Sequence, residues 1–454
     1  MNIAVILAGG IGSRFRGDMP KQFLKVSGKK IIEHTISIFE NNPLIDEIAI
    51  VCNPLYITTM EDIVLQNQWI KVKKILAGGK ERYHSSLAAI NAYENDNDNL
   101  IFHDAVRPLV SNKIIENCIK ALNTYDAVDV AIKATDTIIE SSTNNFITSI
   151  PNRHNLRNGQ TPQCFKRGII KKAYSYALND PNFITTDDCG VVLKYLPETP
   201  IYIVEGESSN MKVTYPEDLF LIDKYFQLKT IQDNHKLLPY ANEQMRGKVL
   251  IVYGGSYGIG EEIVKLGKKL GAKVYSFSRS LNNIDVSNIE DVQKSLENIY
   301  NKNGHIDYVV STAGILIKEP LFSMTNEDIL KSVFINYIGA VNVCKEAFKY
   351  LQKSKGSLLL YTSSSYTRGR MMYSVYSSTK AAIVNLVQAL SEEWHSTGIR
   401  INCINPERTK TPMRVRSFGI EPDESLLKAE IVGIASINTL ISDYTGEVVD
   451  VRRE

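Results

Sequence analysis

The sequence predicts an α/β protein of two domains, each built on a mostly parallel sheet. Three observations predict it. Apolar runs of strand length alternate with helical patterns from end to end, at 3–7, 47–51, 100–102, 249–253, 274–277, 308–310 and 357–361. Such alternation makes βα units, and βα units build parallel sheets. At 454 residues the chain exceeds one ordinary domain. A strand–glycine–helix start occurs twice, first after Ile3 and again after Lys248. The motifs that follow differ in kind, so the halves are not repeats of one another.

The composition suits a folded protein, with 44% hydrophobic and 22% charged residues. A formal net charge of +2 argues against a broad polyanion-binding surface. No nucleic-acid partner is expected, while local basic pockets for phosphates stay open. Cys52, Cys118, Cys164, Cys189, Cys344 and Cys403 form no C-x-x-C pair, which reads as thiols in a reducing compartment. The histidines show no H-E-x-x-H spacing, which argues against a protein-held zinc. The apolar start lacks a basic flank and is too short for a signal peptide, and no run reaches the length of a membrane span. The expectation is a cytoplasmic protein without a membrane span.

Along the chain, a helical stretch follows Pro216-Glu217-Asp218-Leu219 and continues to about residue 228. Residues 229–246 are polar, and Lys248 opens the second strand–glycine–helix start. The expected organisation is therefore a domain at 1–228, a linker at 229–245 and a domain at 246–454.

In the first half, the opening strand runs into Leu7-Ala8-Gly9-Gly10-Ile11-Gly12-Ser13-Arg14. Glycines let a backbone approach a phosphate closely, so that exposed N–H groups bind the anion. Arg14 and then Lys21, in Pro20-Lys21-Gln22, add positive charge of the kind phosphoryl transfer needs. No Gly-Lys-Ser/Thr closes the turn, so it is not a P-loop. Next come Gly78-Gly79-Lys80-Glu81-Arg82-Tyr83-His84-Ser85-Ser86 and, after a short apolar strand, His103-Asp104-Ala105-Val106-Arg107-Pro108. An Asp at a strand end suits a Mg²⁺ ligand beside phosphates, and equally a helix cap or turn. Gln160-Thr161-Pro162-Gln163, Thr186-Asp187-Asp188 and Asn210-Met211-Lys212-Val213-Thr214 complete the series.

In this order, the series resembles the cytidylyltransferases of the 2-C-methylerythritol 4-phosphate and ribitol 5-phosphate type, over residues 1 to about 228. The resemblance implies a mixed, mostly parallel sheet. It implies CTP phosphates on Ala8, Gly9, Gly10 and Gly12, and a pentavalent transition state stabilised by Arg14 and Lys21. Gly79, Lys80 and Ser85 would surround the cytosine. Asp104 would lie beside the metal and the sugar phosphate, Lys212 at the α-phosphate. Arg153 would grip the acceptor phosphate across a dimer interface, which implies a homodimer, and Thr186 falls in the acceptor-binding segment. Ser208 and Ser209 stand where methylerythritol members often carry an acidic residue. The acceptor stays open between methylerythritol phosphate and another polyol phosphate.

In the second half, the run at 249–253 feeds Gly254-Gly255-Ser256-Tyr257-Gly258-Ile259-Gly260 and a helix. That context makes a dinucleotide fingerprint credible. Arg279, in Ser276-Phe277-Ser278-Arg279, stands where an NAD enzyme would often carry a carboxylate. An arginine pairs with a 2′-phosphate, so the reading is NADP, with a solvated surface arginine as the plain alternative. Tyr376 and Lys380 lie four apart on a helical pattern and share a face, with Ser363 upstream. A lysine charge beside a phenol favours tyrosinate and proton exchange near neutral pH.

These motifs resemble the short-chain dehydrogenase/reductase family over about 246–454, which implies a doubly wound, Rossmann-like parallel sheet. By that resemblance, Gly254, Gly258 and Gly260 would cradle the cofactor, and Asp285 and Val286 would meet the adenine. Thr411 would lie near the nicotinamide amide. Tyr376 would be the general acid, Lys380 its activator, Ser363 the carbonyl orienter and Asn336 a support of the proton relay. Ser311-Thr312-Ala313-Gly314 replaces the usual Asn-Asn-Ala-Gly, and Pro406-Glu407 the usual Pro-Gly.

The pairing resembles the bifunctional CDP-ribitol synthases of bacterial capsule and teichoic acid assembly. It implies a pentulose phosphate reduced with NADPH to a pentitol phosphate, which then meets CTP and Mg²⁺. A second domain that only binds NADP, or that reduces another pentulose phosphate, is the alternative.

Overall fold

The computed structural model describes residues 1–10, 19–230 and 235–453. Arg14 and Gly12 fall outside the described residues. The chain forms two compact units, Met1–Tyr225 and Phe226–Glu454.

The strands of the first unit are β1 (Asn2–Ala8), β2 (Lys25–Val26), β3 (Lys29–Lys30), β4 (Glu47–Cys52), β5 (Val72–Ala77), β6 (Asn99–Asp104), β7 (Ala127–Lys133), β8 (Glu140–Ser141), β9 (Ile147–Ser149), β10 (Arg157–Gly159), β11 (Gln163–Lys166) and β12 (Ile201–Glu205). The main sheet runs β10-β7-β11-β6-β1-β4-β5, with β12 beside β7. β1 is parallel to β4 and β6, whereas β11 is antiparallel to β6 and β7. The sheet is therefore mixed and mostly parallel. Two hairpins, β2–β3 and β8–β9, stand outside it.

β1 shows why its sequence is continuously apolar. Ala4, Ile6 and Ala8 pack into the core on one face, and Ile3 and Val5 into the core on the other. Helices cover both faces, so a period-two strand carries no polar side. The helices are α1 (Ile31–Asn41), α2 (Ile57–Asn67), α3 (Arg82–Asn91), α4 (Asn112–Ala121), α5 (Arg167–Ala177), α6 (Asp188–Tyr195) and α7 (Glu217–Lys229). Asp187 caps α6 by accepting from the Gly190 N–H at 2.8 Å.

The second unit has six strands, β13 (Val249–Tyr253), β14 (Lys273–Phe277), β15 (Tyr308–Ser311), β16 (Ser357–Tyr361), β17 (Arg400–Pro406) and β18 (Val448–Val451), in the order β14-β13-β15-β16-β17-β18. All neighbours are parallel. The order reverses at β13, which opens a crevice at the carboxyl ends of β13 and β15, the usual ligand position in such sheets. The helices are α8 (Ala241–Met245), α9 (Gly258–Lys269), α10 (Arg279–Asn282), α11 (Ile289–Asn303), α12 (Asn326–Val333), α13 (Gly339–Ser354), α14 (Ser374–Glu393), α15 (Pro412–Phe418) and α16 (Ala429–Ile441).

The polar stretch read as a linker is partly structured. α8 lies within it, and Ala241 and Met245 are buried in the core of the second unit. Upstream of it, the last turn of α7 already belongs to the second unit, where Gln227 donates to Asp450 Oδ1 at 2.9 Å. Two apolar residues spaced four apart on a short helix were enough to dock a segment whose overall polarity suggested solvent.

Candidate active sites

The first site gathers at the carboxyl ends of β1 and β6. Ala8 ends β1, and Gly9 and Gly10 follow it. The Gln22 side chain donates to the Ala8 carbonyl at 2.9 Å and the Gly10 carbonyl at 3.2 Å, so the Pro-Lys-Gln turn holds the glycine loop. Ser85, buried in the first turn of α3, explains two glycines at once. A Cβ on Gly9 would lie 2.9 Å from its Oγ, and one on Gly78 would lie 2.7 Å away. Gly79 and Lys80 are exposed in the turn before α3.

Asp104 ends β6 and is buried. Its Oδ2 lies 3.1 Å from Arg107 Nε and 3.1 Å from Lys212 Nζ. The segment carrying Lys212 is docked onto the same turn. The Val213 N–H donates to the Val106 carbonyl at 2.9 Å, and Arg107 donates to the Asn210 carbonyl at 2.8 Å. Lys21 Nζ donates to the Val213 carbonyl at 2.7 Å, which brings the two lysines together from opposite ends of the domain. Asn210 is buried, bonds Gln160 Oε1 and the Thr161 carbonyl through Nδ2, and keeps a buried Oδ1 without a partner among the described residues.

Burial pushes the Asp104 carboxyl up, but Lys212, Arg107 and Arg82 together outweigh it and hold it well below the usual carboxylate range. His103, fully buried next door, goes the other way: burial lowers it to about 4, so it is neutral. Its Nε2 faces the Arg107 carbonyl at 3.1 Å, and a carbonyl only accepts, so Nε2 carries the proton. Nδ1 then accepts from the Thr161 hydroxyl at 2.9 Å, and that hydroxyl accepts from the Asp104 N–H at 3.1 Å. The chain of three bonds fixes the backbone that presents Asp104.

Arg82 reaches Asp188 at 2.5 Å, and Tyr174 donates to the same carboxylate at 2.6 Å. This pair, with Asp188 buried and Arg82 half-buried, joins the turn of Lys80 to the segment of Thr186, which is itself exposed just before the α6 cap. Arg153 is exposed and donates to the Thr135 carbonyl at 2.9 Å.

The second site is a cavity of about 460 Å³ in the crevice of the second sheet. Gly254, Gly258 and Gly260 line it, with α9 starting at Gly258. Gly254 has φ +82° and Gly258 φ +63°, conformations a side chain resists. A Cβ on Gly254 would lie 2.7 Å from the Ala313 nitrogen, and one on Gly260 would strike the Gly254 carbonyl. Thr312 holds the turn by donating to the Tyr253 and Gly254 carbonyls at 3.0 and 3.1 Å. Arg279, Asp285, Val286 and Thr411 all line the cavity. Arg279 lies 3.8 Å from Asp285 Oδ2, and Thr411 caps α15 through the Arg414 N–H at 3.2 Å.

Ser363, Tyr376 and Lys380 line the same cavity. Lys380 is buried, donates to the Tyr361 carbonyl at 2.9 Å and stands 5.7 Å from the centre of the Tyr376 ring. Asn336 sits in a π-helical turn, Phe334–Ile338, and bonds both the N–H and the carbonyl of Ile315. The phenol differs from the expectation of a readily formed tyrosinate. Burial pushes Tyr376 up to about 12, against a lowering hydrogen bond from Ser363. Burial also lowers Lys380 to about 8, with no carboxylate among the described residues acting on it to restore the charge. Burial is the largest influence on the phenol and keeps it protonated at neutral pH.

The profile of the family described as 2-C-methyl-D-erythritol 4-phosphate cytidylyltransferase matches residues 2–228, and that of short chain dehydrogenase matches 248–419. The chain is 48% identical to the bifunctional ribulose 5-phosphate reductase/CDP-ribitol pyrophosphorylase Bcs1 of Haemophilus influenzae, over 99% of this chain and 95% of that one. The chain belongs to this bifunctional family. Its first half is also 44% identical to the 2-C-methyl-D-erythritol 4-phosphate cytidylyltransferase of Thermobifida fusca, over 48% of this chain and 89% of the relative. Among solved structures it is similar to the 4-diphosphocytidyl-2C-methyl-D-erythritol synthase of Anaerococcus prevotii, at 28% identity and a TM-score of 0.45, covering 50% of this chain and 98% of that one.

As a member of the bifunctional family the chain is an enzyme twice over, a cytidylyltransferase and a short-chain dehydrogenase/reductase acting on small molecules. No helix among the described residues is long and apolar enough to cross a membrane. The family implies a divalent metal at the first site and a nicotinamide cofactor at the second. Asp104 fits the metal as a single protein ligand. No group of three or more His, Cys, Asp or Glu among the described residues is placed to hold a metal ion, so the remaining positions would fall to substrate phosphates and water. The glycine turn fits the cofactor, because it lines the cavity where α9 begins, and a helix N-terminus presents N–H groups to a pyrophosphate.

Several residues of these sites had no role assigned from sequence. Arg107 was visible three residues after Asp104, and Gln22 inside Pro-Lys-Gln. The Arg82–Asp188 pair and the His103–Thr161 bond had no local signal, because their partners are 106 and 58 residues apart.

Proposed function

We propose that the second unit reduces D-ribulose 5-phosphate to D-ribitol 5-phosphate with NADPH, and that the first transfers CMP from CTP to that product, giving CDP-ribitol and pyrophosphate. The likeness to the Haemophilus enzyme along both halves carries this reading.

In the first unit, an acceptor phosphate oxygen attacks the α-phosphorus of CTP as the bond to pyrophosphate breaks. No covalent enzyme intermediate is needed, only positioning and charge. The backbone at Ala8, Gly9, Gly10 and Gly12 would take the CTP phosphates. Lys21, Lys212 and Arg14 would balance the charge that grows at the α-phosphorus. Gly79, Lys80 and Ser85 would hold the cytosine. Ionised Asp104 would hold Mg²⁺, which neutralises phosphate charge when bound. Arg153 and Thr186 would bind the acceptor phosphate, with Arg153 reaching a second copy of the chain in a homodimer.

In the second unit, Gly254, Gly258 and Gly260 would seat the pyrophosphate of NADPH at the α9 N-terminus. Arg279 would take its 2′-phosphate, Asp285 and Val286 the adenine, and Thr411 the nicotinamide amide. The bound cofactor supplies the hydride. Ser363 orients the substrate carbonyl and Tyr376, protonated up to about 12, gives its proton to the carbonyl oxygen. Lys380 holds the ribose and supplies the charge that eases loss of that proton, and Asn336 supports the proton relay.

The test is to incubate the protein with NADPH, CTP, Mg²⁺ and D-ribulose 5-phosphate, following NADPH and the nucleotide products. NADPH loss with CDP-ribitol formation is expected. Transfer to added ribitol 5-phosphate without NADPH loss would overturn the assignment of the reductase substrate.

A further inference from the structure

Five arginines line the cavity of the second unit: Arg279, Arg370, Arg408, Arg414 and Arg416. A phosphorylated ketose brings a dianion into that cavity, and it pairs best with a guanidinium that no carboxylate already neutralises. Arg414 is committed, with Nε and Nη2 at 2.7 and 2.8 Å from the two oxygens of Glu421. Arg408 acts on the same Glu421 carboxylate. Arg279 lies 3.8 Å from Asp285. Arg416 lies 5.7 Å from the centre of the Tyr257 ring, beside the glycine turn at the cofactor end.

Arg370 is different. The partner it shows is the Ser364 hydroxyl, at 2.9 Å from Nη2. A hydroxyl orients a guanidinium without cancelling its charge. Ser364 directly follows Ser363, the residue read as orienting the carbonyl, and Ser363, Ser364 and Arg370 line the same cavity. The backbone beyond it is fixed in a costly shape. Met372 has φ +76°, a conformation that L side chains rarely adopt, and such strain clusters at ligand clamps. The Tyr373 N–H closes the turn on the Arg370 carbonyl at 3.4 Å.

We propose that Arg370 binds the phosphate of the pentulose phosphate in the reductase site and sets the preference for a phosphorylated ketose. The proposal rests on the reductase reading above.

The experiment compares the full-length wild type with R370A, R370K and R408A, measuring kcat and KM for D-ribulose 5-phosphate and for unphosphorylated D-ribulose. NADPH binding and cytidylyl transfer are measured on the same samples as controls of folding. R370A should raise KM for the phosphorylated ketose roughly 10- to 100-fold, the range of a charge-assisted bidentate pair. Its kcat/KM for D-ribulose and its NADPH affinity should stay at wild-type values, and R370K should recover part of the loss. If R370A keeps the wild-type ratio of kcat/KM between the two ketoses, or if R408A alone erases it, the proposal is overturned. If the wild type fails to use D-ribulose 5-phosphate but reduces another ketose phosphate, the substrate reading fails instead. The same ratio on that ketose then decides the role of Arg370.

Discussion

The two units bury ionisable groups at the carboxyl ends of similar strands, yet treat their charge in opposite ways. Asp104 is buried and stays ionised, because Lys212, Arg107 and Arg82 surround it. Lys380 is buried with a carbonyl as its partner and a neutral phenol above it, and burial lowers it to about 8. Tyr376 rises to about 12 in the same cavity. Desolvation acts on both sites alike, and the number of compensating charges decides the protonation state. The first site is arranged to meet phosphate charge with fixed cations. The second buries a phenol and a lysine side by side, in a cavity whose arginines lie elsewhere along its wall.

The comparison breaks most clearly by removing one group from each side. Tyr376→Phe deletes the proton donor and should lower reductase kcat by roughly 10²–10⁴-fold, while cytidylyl transfer, assayed on ribitol 5-phosphate, stays intact. Equal losses in both assays would show that the units are not chemically independent. Lys21→Ala removes one cation from the transfer site. It should lower the rate of CDP-ribitol formation by roughly 10²–10³-fold and leave NADPH oxidation unchanged.

A third variant sharpens the part played by compensation. Arg82→Met leaves the fully buried Asp188 with Tyr174 as its remaining partner. Breaking a buried pair from one side costs about 3–5 kcal/mol, which calorimetry should register as a lower first transition with the second unit unaffected. A change under about 1 kcal/mol would mean that solvent already screens the pair.

The smallest effect is graded with pH. Lys380 is charged below about 8 and neutral above it, whereas Tyr376 keeps its proton to about 12. Reductase kcat/KM should therefore hold at neutral pH and fall about tenfold per unit above about 8. Lys380→Arg should flatten that limb, because a guanidinium keeps its charge. A flat wild-type profile would remove Lys380 from the proton chemistry.

Much of both sites was legible because their motifs are local. The glycine turn at 254–260, the Tyr376–Lys380 pair and His103-Asp104 are each local in sequence, and a spacing of four on a helix places Tyr376 and Lys380 on a common face. The stretch at 229–245 was misleading for the same reason: mean polarity described its surface and missed Ala241 and Met245 packing inward. The tyrosinate expectation also came from spacing. A spacing of four residues reports that Lys380 and Tyr376 are near, and carries no measure of the burial that raises one and lowers the other.

By itself, the sequence determined the α/β class, the two halves and the residue types that carry each chemistry, because strand period, glycine turns and i,i+4 spacing are properties of short segments. The tertiary structure alone decided which charges meet. Lys21 is joined to Val213 across 192 residues, and Arg82 to Asp188 across 106. Such partners, and the depth at which they lie, depend on how the sheet is ordered, and electrostatic energy depends on distance and burial rather than on position in the chain.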